Sequence, residues 1–166
     1  MLRRKTAAVG DVFQILTSPG VCYGQVINTH PKWKFVIAVF REFHSKEPEN
    51  FKEVVSKEPQ FITTFLVQHA IRQGLFSLVA NVPIAPSLRD FPVFRSTNNF
   101  KGDDTMWFFW DGGEQWKVQR PLTDDERKYP KGPSLPSAPM LIERIETDWR
   151  AERDFIGGEA SGVPTT

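Results

Sequence analysis

The chain is predicted to be mainly β with some α, and three observations carry that prediction. Three short apolar runs open it, Gly10 to Leu16, Val21 to Ile27 and Trp33 to Phe40, broken by Ser18-Pro19-Gly20 and Asn28-Thr29-His30-Pro31. Both breaks are turn chemistry, because proline presets one backbone angle and glycine supplies positive φ. Farther on, Asp111-Gly112-Gly113-Glu114 separates two aromatic-rich runs, a strong hairpin pattern. Near the end, Leu141, Ile142, Ile145 and Trp149 follow helical spacing with charges between them. Together these predict a strongly curled antiparallel sheet or an SH3-like small barrel of about six or seven strands, with a C-terminal helix packed on it.

Residues 1–8 read as a basic tail, with Arg3, Arg4 and Lys5, and residues 9–121 as the β domain. In the third strand Trp33, Phe35, Ile37 and Val39 share one face, and Val36, Ala38 and Phe40 fill the other. A strand apolar on both faces belongs inside a sheet. Residues 42–60 are charged and bracketed by Pro48 and Pro59, with Phe51, Val54 and Val55 spaced as one helical turn. Phe61 to Val67 is β-branched, aromatic and free of breakers, hence a strand. His69 to Gly74 reads as a short helical connection closed by glycine, and Leu75 to Ala80 as the next strand. Pro83, Pro86 and Pro92 keep the following stretch irregular, before a short strand at Val93-Phe94-Arg95. Residues 122–139 form a proline-rich linker or strap that opens with a capped acidic turn at Thr123-Asp124-Asp125-Glu126. Residues 140–155 are expected as the helix and 156–166, rich in Gly, Ser, Thr and Pro, as a disordered tail.

Composition narrows the function classes. A net charge of +1 supplies no global attraction to nucleic acid or membrane. The single cysteine, Cys22, excludes an internal disulfide framework and fits a reducing compartment. The longest apolar run is too short to span a bilayer, and the N-terminus lacks a hydrophobic signal core, so a cytoplasmic protein is expected.

Chemistry-bearing patterns are sparse. His30, His44 and His69 lie in three different segments with no helical metal-ligand spacing. Asp103-Asp104 and Asp124-Asp125-Glu126 lack the spacing and glycine of a calcium loop. Cys22 sits inside a strand pattern, where a thiol is buried and inert. No nucleophile elbow and no phosphate-binding glycine loop occur. Neither enzyme activity, metal nor cofactor is expected.

Two surfaces remain as binding candidates. Lys32-Trp33-Lys34-Phe35 interleaves base and aromatic, and Trp107 and Trp110 could stack on bases, as in oligonucleotide-binding barrels. The near-zero net charge and the strand alternation of these aromatics disfavour that reading. From Lys101 to Glu126, by contrast, seven acids face three bases, a local balance of −4. An acidic, tryptophan-bearing hairpin suits a basic protein partner, since charge speeds encounter and aromatics anchor. Asp103, Asp104, Trp107, Trp110, Asp111 and Glu114 are therefore the expected partner-binding residues. A solvated loop beside a core hairpin is the competing reading.

The Gly10-Asp11-Val12-Phe13-x-Ile15 start, the Tyr23-Gly24-Gln25-Val26 continuation and the apolar third strand resemble the immunity protein 26 family of bacterial polymorphic-toxin systems. Ala70 to Val79, Pro83 and Phe91-Pro92-Val93-Phe94 are similar to it in order and spacing. The resemblance covers roughly residues 9–120. It departs at Leu75-Phe76, where the pattern carries a tryptophan, and the extension from about residue 122 falls outside it. It implies a mainly β protein that binds and neutralises a cognate toxin effector and protects the cell that makes it, with no enzyme activity, no cofactor and no residue roles to transfer. Steric occlusion of the toxin's active site or substrate groove is the expected mechanism. A nucleic-acid-binding barrel, including a PemK-like ribonuclease, and a peptide-binding adaptor are the alternatives.

Overall fold

The computed structural model describes residues 6–98 and 105–154. In chain order its elements are β1 (Asp11–Leu16), β2 (Val21–His30), β3 (Lys34–His44), α1 (Phe51–Val55), β4 (Phe61–Phe65), α2 (Val67–Arg72) and β5 (Phe76–Asn81). A 3₁₀ turn at Pro86–Leu88, β6 (Phe94–Ser96), β7 (Trp107–Trp110), β8 (Gln115–Val118), α3 (Asp124–Arg127), α4 (Ala138–Glu146) and a 3₁₀ turn at Ala151–Arg153 follow. The chain divides into two compact units: one runs to Phe91 and takes in Ser134–Trp149, the other joins Pro92–Pro133 to the described residues from Arg150. The mainly β expectation holds.

The first unit is an antiparallel sheet in the order β4-β3-β2-β1-β5. It stays open, with β4 and β5 as its edges, so the curled sheet and not the closed barrel is the form adopted. Its curl has a local cause. β2 and β3 are ten and eleven residues long, and their pairing shifts register at Val21/Tyr23 and again at Val26/Asn28. Each bulge bends its strand and adds twist. A third shift lies between β1 and β5 at Val12/Phe13. As its two apolar faces require, β3 is interior, and Val36 to Val39 are fully buried.

One face of this sheet carries the core, with Phe13, Ile15, Ile37, Val39, Phe65 and Phe76 meeting Leu141 and Ile145 of α4. Phe13 stacks on Phe76, and Phe76 on Phe65. The glycine at position 24 is forced by this stack: it pairs with Phe13 across β1 and β2, and a Cβ there would lie 2.4 Å from Phe13 Cζ.

The residues that carry the family resemblance are spent on architecture. Gly10 N–H donates to the Val26 carbonyl at 2.8 Å, and the buried Gln25 Nε2 donates to the Val82 carbonyl at 2.9 Å. The Asp11 carboxylate is buried and accepts from Ala8 N–H at 2.8 Å and from Asn81 Nδ2 at 2.9 Å. This is how a buried carboxylate is tolerated: its lone pairs are filled by donors.

The short helices end by defined chemistry. α2 closes with Gly74 at φ 72°, its N–H donating to the Ile71 carbonyl and Leu75 N–H to the Ala70 carbonyl. That is the paired C-terminal bond pattern that uses up orphan helix carbonyls. The helix expected over 140–155 is shorter and shifted: α4 runs Ala138–Glu146. Ser137 caps its start, with Pro139 in the first turn where a missing N–H costs nothing. Asp148 at φ 53° ends it, with Asp148 N–H donating to the Ile145 carbonyl and Trp149 N–H to the Arg144 carbonyl. Arg41 Nε reaches the Ile145 carbonyl at 2.9 Å, and Gln60 Nε2 reaches those of Arg144 and Trp149 at 2.9 and 3.0 Å. The reversal turns Trp149 back onto Phe61, edge to face at 5.6 Å.

The second unit holds the sheet β6-β7-β8, also antiparallel, and its centre is Arg95. This side chain is fully buried. Its guanidinium donates to the carbonyls of Tyr129, Arg127, Ala151 and Asp154 at 2.5–3.2 Å and lies over the Trp107 ring at 5.4 Å. Burial lowers its pKa to about 10, with the Asp154 carboxylate pulling the other way.

Candidate functional site

The expected contact residues sit mainly on the β7–β8 hairpin. Alternation along β7 sends Trp107 and Phe109 to one face and Phe108 and Trp110 to the other. Trp107 and Phe109 are buried against Leu122, with Val93, Val118 and Tyr129 around them. Trp107 is therefore a core residue of its unit, placed where it supports the hairpin and covers Arg95. Trp110 is half-buried and tilts against Phe94 at 5.6 Å. Asp103 and Asp104 lie outside the described residues.

The tip is a two-glycine turn held by Asp111. Its Oδ1 accepts from Gly113 N–H at 3.0 Å and Glu114 N–H at 2.8 Å, and Asp111 N–H donates to the Glu114 carbonyl at 3.2 Å. These backbone donors, Glu114 first, hold the Asp111 carboxyl below its ordinary range, so it is ionised at neutral pH. Asp111 thus shapes the turn as well as charging it. Glu114 is exposed and makes no ion pair among the described residues.

One residue of this surface escaped the sequence reading. Trp116 on β8 is 41% exposed, set edge to face on Phe109 at 5.9 Å. Its pairing with Phe109 and its alternation with Val118 place it on the core face, yet it stays exposed. Tip and edge together present Asp111, Glu114 and Trp116, with Lys117 exposed beyond them.

Part of the local acidity is consumed internally. Glu126 accepts from Arg120 at 2.7 and 2.8 Å and from Thr123 N–H at 2.9 Å, while Thr123 Oγ1 accepts from Glu126 N–H. This capping box and ion pair, the Arg120 bonds first, lower the Glu126 pKa to about 2. Asp124 and Asp125 remain exposed in the first turn of α3, where negative charge suits the helix end.

Elsewhere the structure supplies little for chemistry. Among the described residues, no group of three or more His, Cys, Asp or Glu side chains could hold a metal ion. Burial raises the pKa of Cys22 to about 11, so its thiol stays protonated at neutral pH. No described helix is long and apolar enough to cross a membrane.

These features define a mainly antiparallel β protein that presents an acidic, tryptophan-bearing hairpin on one of its two units. The family model of immunity protein 26 matches residues 8–105, more than half of the chain. The chain belongs to the immunity protein 26 family. No curated protein and no solved structure matches it.

Proposed function

We propose that this protein neutralises a cognate bacterial toxin by stoichiometric binding, covering the toxin's active site or substrate groove. Its membership of the immunity protein 26 family is the observation that carries the reading. The contact surface is the β7–β8 tip, with Glu114 and Asp111 supplying charge and Trp110 and Trp116 supplying apolar area. Asp103 and Asp104 precede the hairpin in the chain and would add their charge to the same contact. Trp107 acts from beneath, by fixing the hairpin. Such a surface favours a basic groove, and against a nuclease toxin the carboxylates would stand where phosphates bind. A pKa held low by backbone donors keeps Asp111 charged across the physiological range.

Pull-down of the tagged chain against the product of the adjacent open reading frame, with growth rescue on co-expression, tests the reading. Tight binding with rescue is expected. Charge reversal at Asp103→Lys/Asp104→Lys or Glu114→Lys should weaken binding by at least about tenfold. Toxin binding that all three charge reversals leave intact would remove the acidic hairpin from the interface.

A further inference from the structure

We propose that the turn between β2 and β3 is a second contact surface of this protein and takes a carboxylate-bearing loop of its protein partner. The inference rests on the binding role proposed above and adds a site of opposite charge on the other unit.

Three observations converge on the turn. The first is strain. Lys34 has φ 63°, in the left-handed region that disfavours side chains and favours glycine. It closes the hairpin opposite His30, at a position where glycine would relieve the backbone. Strained residues persist where surrounding structure holds them and concentrate at functional loops.

The second is preorganisation. His30 Nδ1 accepts from Lys32 N–H at 3.2 Å and Trp33 N–H at 3.3 Å, and the His30 ring tilts against Phe91 at 6.0 Å. The turn is thus fixed before any partner arrives, which lowers the ordering cost of binding. Lys32 Nζ lies 5.3 Å from the centroid of Trp33, so ammonium and indole form one composite surface.

The third is charge. From Val12 to Arg41 there is no acidic residue. Lys32 and Lys34 are exposed, and neither pairs with a carboxylate among the described residues. Arg89 and Asp90, which precede Phe91 in the chain, cancel in charge. The tip therefore presents two unneutralised ammonium groups flanking an indole.

Such a site fits carboxylates. Nucleic-acid affinity grows with the number of phosphates neutralised, and two lysines neutralise two. A short acidic loop needs no more than two ammonium groups and one aromatic platform.

The test is biolayer interferometry of the full chain against the product of the adjacent open reading frame, at low and high salt, with melting temperatures alongside. Lys32→Glu/Lys34→Glu should weaken binding by at least about tenfold at low salt, less at high salt, with an unchanged melting temperature. Lys34→Gly should raise the melting temperature yet weaken binding about threefold, separating strain from contact. Wild-type binding that both variants reproduce overturns this inference alone. Absence of wild-type binding overturns the binding role proposed above and this site with it. Retention of a single-stranded oligonucleotide by wild type, lost in the double variant, overturns it in favour of a nucleic-acid surface.

Discussion

Replacing Gly24 with alanine tests the core argument at its tightest point. The added Cβ would lie 2.4, 2.8 and 3.1 Å from Phe13 Cζ, Cε2 and Cε1. Carbon atoms in contact sit about 3.5–4.0 Å apart, so the ring must retreat by roughly 1 Å. Nothing behind it yields easily. Phe13 is stacked on Phe76 at 5.6 Å and 13°, and Phe76 on Phe65 at 5.5 Å and 28°. All three rings are at most 2% exposed. Overpacking of this kind costs about 1–3 kcal/mol, and three overlapping atoms against a stacked ring place it near the upper end. Alanine recovers about 0.4–1 kcal/mol by restricting the unfolded chain. The net expectation is a loss of about 2 kcal/mol, which lowers a urea midpoint by roughly 1 M. Phe13→Leu in the same chain should remove part of the clash, giving a favourable coupling of about 1 kcal/mol in the double-mutant cycle. A Gly24→Ala midpoint equal to or above wild type would refute the reasoning.

Other expectations follow from single contacts. Arg95→Met strands the carbonyls of Tyr129, Arg127, Ala151 and Asp154 and should destabilise the second unit by about 3 kcal/mol, read as faster hydrogen exchange at Ala151–Asp154. Arg95→Lys should not rescue it, since one ammonium group cannot reproduce the planar fork. Glu126 has its pKa lowered from the ordinary 4.5 to about 2, so its contribution is complete above about pH 4.5 and is lost as pH falls toward 2. Glu126→Gln should remove that acid-limb slope, by less than about 1 kcal/mol because Arg120 is half-exposed. Cys22 should resist a thiol reagent at neutral pH in the native state and react once per chain in denaturant.

The parts of the fold set by local chemistry were readable in the sequence. The meander, the single helical turn at Phe51–Val55, the Gly74 stop and the Asp111 hairpin all follow from residues adjacent in the chain. What escaped depended on residues far apart. Arg95 gives no local sign of being buried, because its acceptors are carbonyls from residues 127 to 154. Alternation pairs Trp107 with Phe109 on one face but does not say which face is covered; Leu122 and Tyr129 decide that. The same ambiguity hid Trp116. The early end of α4 turns on Asp148 adopting a left-handed conformation that its residue type permits but does not dictate.

The division of the chain has a consequence in time. Leu141 and Ile145 complete the core built on Phe13 and Ile15, yet they are synthesised only after the whole of Pro92–Pro133. During translation the five strands emerge with the apolar face that α4 will cover still open to water, and the nascent chain must remain unaggregated until α4 arrives. A fragment trimmed to the family-matched stretch, residues 8–105, would keep the sheet and lose its closing helix, so it should emerge insoluble. The interval between β5 and α4 on the ribosome is when this protein would need a chaperone.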